Sequence, residues 1–184
     1  MIGVWVVGSP GCGKTTMLRN YIDPFDTEFV VKPKWTLTNN IILSGHYLGK
    51  TFDGGDTVPY NAFKESLQYW SSFLLANEKY SVTIFDGDRF STKYCLEYVN
   101  EFADGCFCIL IDLPNDVLVE RRKERGSNQN ANWLKGRETK AKNFFNMFKN
   151  RDRLILDGKQ SPKALSEIVI DWINTNARTI VETE

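Results

Sequence analysis

A glycine-rich segment near the amino terminus constrains this chain of 184 residues more than any other feature. Residues 8–15 read GSPGCGKT, which fits the pattern GxxxxGK[ST] at every fixed position. The segment follows an apolar run, Ile2–Val7, typical of a strand buried on both faces of a parallel sheet. A helix is predicted to begin near Lys14. A buried strand, a glycine loop and a helix in this order predict an anion-binding cradle of backbone amides.

The residue types in this loop predict a nucleoside triphosphate as the anion. Lys14 is expected to neutralise the β and γ phosphates, and the hydroxyl of Thr15 to bind Mg²⁺. We therefore predict ATP and Mg²⁺ as the ligands of the loop. The expected nucleotide-binding residues are Gly8, Pro10, Gly11, Cys12, Gly13, Lys14, Thr15 and Thr16.

Strands alternate with amphipathic helices along the rest of the chain, which favours an α/β fold. We predict a three-layer α/β/α domain spanning residues 1–184, with a central parallel sheet of about five strands. Residues 33–60 are expected to form a substrate-side insertion and residues 121–149 a basic helical lid. Further strands are predicted at 28–31, 81–85, 106–113 and 154–156, with an extra strand or hairpin within 35–49. Further helices are predicted at 61–77, 92–102, 115–125, 134–149 and 162–177.

An acidic segment follows the predicted strand at 81–85. Asp86, Asp88 and Arg89 are expected at the carboxyl edge of the sheet, where open α/β sheets bind their ligands. Asp86 there can accept a proton from an attacking hydroxyl or help to hold Mg²⁺, and Asp88 is the second carboxylate. Arg89 can hold a phosphate group through two hydrogen bonds. The chain lacks the NKxD motif that reads guanine, which argues against a GTPase.

Two segments resemble P-loop nucleotide kinases. The run GDRFSTKY at 87–94 is similar to the DR(Y/F)xxS segment of thymidylate kinases, and it occupies the place of the ERS segment in deoxynucleoside kinases. The run at 109–126 resembles the strand and helix that lead into the lid of these enzymes. The resemblance implies that Arg121 and Arg125, which match RxxxRG, close over the transferred phosphoryl group, with Arg122 as a neighbour able to substitute.

Three further segments are similar to bacteriophage 5-hydroxymethyluracil DNA kinases: 45–57, 84–90 and 129–140. This resemblance implies that the acceptor is the 5-hydroxymethyl group of 5-hydroxymethyluracil in phage DNA, a thymine hypermodification, and that the chain works in the host cytoplasm. The candidate acceptor-binding residues are His46, Lys50, Asp53, Asp56, Arg89 and Arg137. The alternatives are a small-molecule kinase for a deoxynucleoside or its monophosphate, and a DNA-stimulated P-loop ATPase. The general base stays open among Asp53, Asp86 and Asp88.

Charge and cysteine usage narrow the partners. The net charge is zero, yet residues 121–153 contain eleven basic and three acidic side chains, which suggests an anionic ligand. The longest apolar runs are too short to span a membrane, so we expect no membrane partner and a cytoplasmic protein. No obligate protein partner is indicated. The four cysteines lack paired metal-binding spacing and are expected to be reduced thiols of the core.

Overall fold

The structure is a computed structural model that describes residues 1–49 and 53–181, without the side chains of residues 177–181. Its strands are β1 (Ile2–Val7), β2 (Thr27–Val30), β3 (Trp35–Thr38), β4 (Ile41–Ser44), β5 (Val82–Asp86), β6 (Gly105–Asp112) and β7 (Arg153–Asp157). Its helices are α1 (Lys14–Leu18), α2 (Phe63–Tyr69), α3 (Lys93–Asn100), α4 (Asn115–Glu124), α5 (Ala131–Phe145) and α6 (Pro162–Val181).

All of these strands belong to one sheet, in the order β2-β3-β4-β5-β1-β6-β7. The five strands from β4 to β7 along this order are parallel, which confirms the predicted parallel core. The strand predicted at 28–31, observed as β2, is not one of these five: β2 and β3 form an antiparallel extension at one edge, which makes the sheet larger than predicted. The segment 35–49 therefore forms a hairpin whose second strand pairs with β5.

Helices cover both faces of this sheet. β1 sends Val4 and Val6 into one core and Trp5 and Val7 into the other, because successive side chains of a strand point to opposite faces. The first core is completed by α1, α4 and α6, and the second by α2, α3 and α5. The continuous apolar sequence of β1 is thus explained by burial on both faces, and the predicted three-layer α/β/α class is confirmed.

Several predicted helices differ in extent from the observed ones, among them those that became α2 and α5. The helix predicted at 61–77 is α-helical over Phe63–Tyr69 and then becomes π-helical over Trp70–Leu74. The wider turn places Trp70 in the core, where its Nε1 donates to Thr83 Oγ1 at 2.8 Å. The lid helix α5 begins earlier than predicted, because the Asn130 side chain accepts from the Asn132 amide and caps it. Within the described residues, no helix is long and apolar enough to cross a membrane.

Candidate active site

The glycine loop joins β1 to α1 at the carboxyl edge of the parallel strands. Gly8 has φ +149°, and a Cβ atom there would lie 2.6 Å from the carbonyl oxygen of Ile111. Only glycine allows this close approach between the loop and β6. Gly13 precedes α1 in a left-handed conformation, so the loop turns sharply just before Lys14. The predicted cradle is therefore formed by the backbone itself.

Lys14 lies folded over this loop. Its Nζ donates to the carbonyl oxygens of Gly8 at 2.9 Å and Ser9 at 3.2 Å. Burial acts to lower the pKa of Lys14, but the electrostatic influence of Cys12 and Asp86 outweighs it and leaves the pKa raised. The side chain therefore keeps its positive charge inside the cleft, where it can meet phosphate oxygens.

Asp86 ends β5 directly beside the loop. Its side chain is 3% exposed, and its Oδ2 accepts from Thr15 Oγ1 at 3.2 Å and from the Gly55 amide at 3.0 Å. The Tyr47 hydroxyl donates to the same oxygen at 3.0 Å. Burial raises the pKa of Asp86, whereas Lys14 and the hydrogen bonds from Gly55 and Tyr47 act to lower it. Asp86 and Thr15 thus lie together, as predicted.

This pair of oxygen ligands fits Mg²⁺. Magnesium is bound by few protein oxygens and completes its shell with substrate phosphates and water. The described residues contain no cluster of three or more His, Cys, Asp or Glu side chains able to hold a metal without such help. Thr15 Oγ1 and the Asp86 carboxylate are the groups that would hold the ion at the edge of the phosphate loop.

The second predicted carboxylate, Asp88, contacts helix α5, which lies in the region predicted to form a lid. It forms an ion pair with Arg137 of α5, and the Tyr60 hydroxyl donates to it at 3.4 Å. Lys140 Nζ donates to the Asp88 carbonyl oxygen at 2.5 Å. Burial lowers the pKa of Lys140, partly offset by Asp88. These contacts fix α5 against the end of β5.

Arg89 lies on the same side of the cleft. Its Nη1 is 2.5 Å from Asp56 Oδ1, and its guanidinium stacks on the Tyr60 ring at 4.5 Å from the centroid. Its Nε is buried and has no hydrogen-bond partner among the described residues. Arg137 lies over Tyr60 at 5.5 Å and over Trp133 at 5.0 Å. The result is an aromatic wall that presents two guanidinium groups.

The arginines that were predicted to close over the phosphoryl group belong to α4 and the residue after it, and they lie around the glycine loop. Arg121 donates to the carbonyl oxygens of Cys12 at 3.4 Å and Gly158 at 3.0 Å, so it ties the loop to the end of β7. Arg122 packs against Gly11, and its Nε is buried without a partner in the described part of the chain. Arg125 follows the last residue of α4 and borders the cleft.

A cleft of about 620 Å³ joins the loop, the acidic edge and the lid. The predicted site residues that line it are Gly8, Pro10, Gly11, Gly13, Lys14, Thr15, Thr16, Asp56, Asp86, Asp88, Arg89, Arg125 and Arg137. A second cavity of about 240 Å³ shares Gly13, Thr16 and Arg125 with the cleft, and Cys12, Arg121 and Gly158 also line it. The loop therefore has space on both sides for the parts of a nucleotide.

Two predicted acceptor-binding residues are not among those that line the cleft. His46 Nε2 lies 2.7 Å from the carbonyl oxygen of Val30, and its ring meets Phe29 edge-on. Asp53 is 4% exposed and forms an ion pair with Arg19 at 2.7 Å. It also accepts from the Leu48 amide at 2.6 Å. Both side chains hold the insertion together. Lys50 lies outside the described residues.

Sequence reasoning missed several residues of the cleft. Tyr47 and Tyr60 lie in the predicted insertion at 33–60, and Trp133 and Lys140 lie in the segment 129–140, but none of them was assigned to the site. Tyr60, Trp133 and Lys140 line the cleft, and Tyr47 donates to Asp86. Trp133, Arg137 and Lys140 recur at spacings of three and four, the spacing of one helix face, which was a usable signal.

The fold is similar to that of known kinases. A crystal structure of a gluconokinase from Sinorhizobium meliloti 1021 superposes with a TM-score of 0.59 at 13% identity, covering 99% of this chain and 97% of that one. A sugar kinase from Janibacter sp. HTCC2649, solved without ligand, gives a TM-score of 0.54 at 14% identity, covering 95% of each chain. No protein-family model matches the chain. No curated protein matches it either. The structure therefore confirms the expected kinase-type α/β fold, with the phosphate loop at the carboxyl edge of its parallel strands.

Proposed function

We propose that this protein is an ATP-dependent kinase that transfers the terminal phosphoryl group of ATP to a hydroxyl group of a small molecule. The observation that carries the proposal is the continuity of the cleft. One cavity joins the phosphate loop around Lys14, the Thr15–Asp86 pair and a separate cationic, aromatic half around Arg89. A hydrolase needs room only for water beyond the phosphate, whereas this cleft has a second half that can hold an acceptor.

The nucleotide half supplies positive charge and backbone donors. Lys14 keeps its charge and lies within the loop, so it can exchange its contacts with Gly8 and Ser9 for phosphate oxygens. Arg122 packs against the loop at Gly11, and its buried Nε has no hydrogen-bond partner among the described residues. This donor is therefore available to a phosphate oxygen. Magnesium, when bound, would neutralise phosphate charge. Phosphoryl transfer depends on such positioning and charge stabilisation more than on covalent help from the protein.

The acceptor hydroxyl would meet Asp86 or Asp88 in this geometry. Asp53 does not suit the role of general base, because it forms an ion pair with Arg19 and accepts a hydrogen bond from the backbone of the insertion. Asp86 lies beside the loop, and its raised pKa suits a group that accepts a proton. Asp88 is held by Arg137, which favours a role in placing the lid and the acceptor.

The acceptor half favours a small molecule that carries a negative charge. Arg89 has a buried Nε without a partner in the described residues, and its ion pair is with Asp56, whose side chain is 64% exposed. A carboxylate or phosphate on the acceptor can replace that exposed partner and form two hydrogen bonds to the guanidinium. Tyr60 and Trp133 offer flat apolar surfaces for the rest of the molecule. The structural similarity to a gluconokinase and a sugar kinase supports acceptors of this size.

The DNA acceptor implied by the resemblance of three segments has no support from the structural neighbours, which are small-molecule kinases. A DNA strand would also have to contact the basic residues 121–153, yet Arg121 turns to the glycine loop and Arg137 to Asp88. Lys140 also turns inward to Asp88, and Lys142 pairs with Glu138 on its own helix. These four of the eleven basic side chains are engaged within the protein, so they are not free to follow the phosphate backbone of a DNA strand.

An acceptor screen tests the proposal. The protein is incubated with ATP and Mg²⁺ and with matched acceptors: gluconate and glucose, deoxynucleoside monophosphates and deoxynucleosides, and DNA with and without 5-hydroxymethyluracil. Products are identified by mass. We expect a gain of one phosphate on an anionic small molecule, and Lys14→Ala is expected to abolish it while leaving the unfolding temperature nearly unchanged.

Three results would contradict the proposal in different ways. Phosphate found on 5-hydroxymethyluracil in DNA, with the small molecules unlabelled, would restore the DNA kinase hypothesis. Release of inorganic phosphate that DNA stimulates, without any phosphorylated product, would identify an ATPase. Equal turnover of neutral and anionic members of each pair would refute the role of Arg89 while keeping the kinase assignment.

A further inference from the structure

The segment from Gly45 to Thr57 lies against the end of β5, and apart from the Asp56 carboxylate beside Arg89 it has no role in the function proposed above. Its ends are joined by an antiparallel bridge between His46 and Gly54, in which the Gly54 amide donates to the His46 carbonyl oxygen at 2.7 Å. Thr57 Oγ1 accepts from the His46 amide at 2.8 Å. The described part of this segment is therefore a closed loop that is built independently of any acceptor.

This loop is packed directly onto the Asp86 carboxylate. Gly54 has φ +61°, and a Cβ atom there would lie 2.5 Å from Asp86 Oδ2 and 3.0 Å from Tyr47 Cε1. A Cβ on Gly55 would lie 2.2 Å from the Asp86 carbonyl oxygen. Two consecutive glycines thus allow an approach that a side chain would prevent, and the approach brings the Gly55 amide within 3.0 Å of Asp86 Oδ2.

Tyr47 is the side chain that this loop contributes to the same atom. It is 4% exposed, and its hydroxyl donates to Asp86 Oδ2 at 3.0 Å. With Gly55 and Thr15, it makes three donors on one carboxylate oxygen. Three hydrogen bonds to one oxygen restrict the rotation of the carboxylate group, and they thereby set the direction of its other oxygen. Groups that orient a metal-binding carboxylate in this way contribute to metal affinity without touching the metal.

We propose that Tyr47 is a positioning residue that orients the Asp86 carboxylate for the Mg²⁺ of the bound nucleotide. The inference rests on the kinase function proposed above, because it assigns a task to the pair formed by Thr15 and Asp86. The inference also explains what the glycine-rich insertion contributes. It supplies the Tyr47 hydroxyl and the Gly55 amide as donors to Asp86, which would otherwise accept only from Thr15. The substrate preference of the enzyme does not enter the argument.

The variant Tyr47→Phe removes the hydroxyl and keeps the ring. A matched control exists in Tyr21→Phe, because Tyr21 is also buried and its hydroxyl donates to the Ser166 carbonyl oxygen at 3.0 Å, away from the cleft. ATP affinity is measured by calorimetry once with excess Mg²⁺ and once with EDTA. The ratio of the two affinities is the Mg²⁺ contribution, and any loss of folded protein cancels from it.

We expect Tyr47→Phe to reduce the Mg²⁺ contribution by about tenfold, as for other groups that orient metal ligands, with the affinity in EDTA unchanged. Tyr21→Phe is expected to leave both affinities as in the unmodified protein. In the background of Asp86→Asn, Tyr47→Phe should have no further effect on the ratio, because its partner carboxylate is gone.

A wild-type ratio in Tyr47→Phe would overturn the inference and leave Tyr47 with a packing role only. A reduced ratio that persists in the Asp86→Asn background would also overturn it, because the effect would then bypass the carboxylate. Failure of the proposed function looks different: the unmodified protein would bind no ATP, or would bind it without any Mg²⁺ contribution.

Discussion

Replacement of Asp53 separates a structural carboxylate from a catalytic one. Sequence reasoning left Asp53 among the candidate general bases, whereas the structure buries it and pairs it with Arg19. Asp53→Ala removes this ion pair and the acceptor of the Leu48 and Gly49 amides, at 2.6 and 3.1 Å. We expect the variant to lose stability and to keep its chemistry.

The magnitude follows from the exposure of the partners. Arg19 is 37% exposed, so the ion pair contributes about 1 kcal/mol, near the value for solvated pairs. Leu48 and Gly49 are exposed, so water can replace the lost acceptor and each amide costs about 0.5 kcal/mol. The free energy of unfolding should therefore fall by about 2 kcal/mol. For a domain of this size the unfolding temperature should drop by about 4–8 °C.

The assay combines thermal unfolding with steady-state phosphotransfer at a temperature where the variant stays folded. We expect kcat within about threefold of the unmodified protein, because Asp53 is not among the residues that line the cleft. Asp53→Asn serves as the conservative companion, since its side-chain oxygen can still accept from one amide. The reasoning is refuted if Asp53→Asn unfolds at the wild-type temperature yet loses turnover by a hundredfold or more, because that pattern belongs to a general base.

Two further predictions follow from the same structure. Gly54→Ala should lower turnover by at least about tenfold, because its Cβ would lie 2.5 Å from Asp86 Oδ2. Gly49→Ala is the control: Gly49 also has a positive φ, but a Cβ there has nothing within 4 Å, so this variant should lose stability only. Equal kinetics for the two variants would contradict the predicted clash. Iodoacetamide at neutral pH should modify Cys106 slowly, since burial raises its pKa to about 12, and Cys95 and Cys108, which are fully buried, more slowly still; peptide mass spectrometry over time reads the order, and rapid labelling of Cys108 would contradict it.

The parts of the fold that were predictable are those with local signals. β1 reads as a buried strand because both of its faces are covered, and the glycine loop has the spacing that its backbone requires. The strand at 28–31 and the hairpin within 35–49 were predicted, but their antiparallel pairing was not, because four-residue strands carry little periodicity to indicate which strand they pair with. The π-helical turn at Trp70 is set by tertiary packing against β5, which no local pattern encodes.

The candidate site can likewise be divided into residues that local sequence signals predict and residues whose roles depend on tertiary structure. Lys14, Thr15 and Asp86 were predictable because each follows a recognisable strand end, and parallel strands bring their carboxyl ends to one edge. Of the polar residues predicted in the insertion, Asp56 lines the cleft, whereas His46 and Asp53 are not among the residues that line it. His46 and Asp53 hold the loop, while Tyr47 delivers its hydroxyl to Asp86. Sequence order cannot tell these apart, because the direction of each side chain depends on the closed loop between Gly45 and Thr57.

The basic segment illustrates why a charge count predicts a ligand more safely than a partner. Residues 121–153 contain a clear excess of positive charge, which predicts an anionic ligand, and the cleft that Arg125, Arg137 and Lys140 border also contains Lys14 and Arg89. The step from anion to nucleic acid required those charges to share one outer surface. Because α4 and α5 both approach the carboxyl edge of the sheet, Arg121 and Arg137 reach inward from two different helices, Arg121 to the glycine loop beside the second cavity and Arg137 to Asp88 in the cleft. A converging arrangement concentrates charge on a compact anion, whereas a parallel row along one face would suit a polymer. The inward-facing side chains of Arg121, Arg137 and Lys140 therefore suit the compact anionic ligands of the proposed function better than a DNA strand.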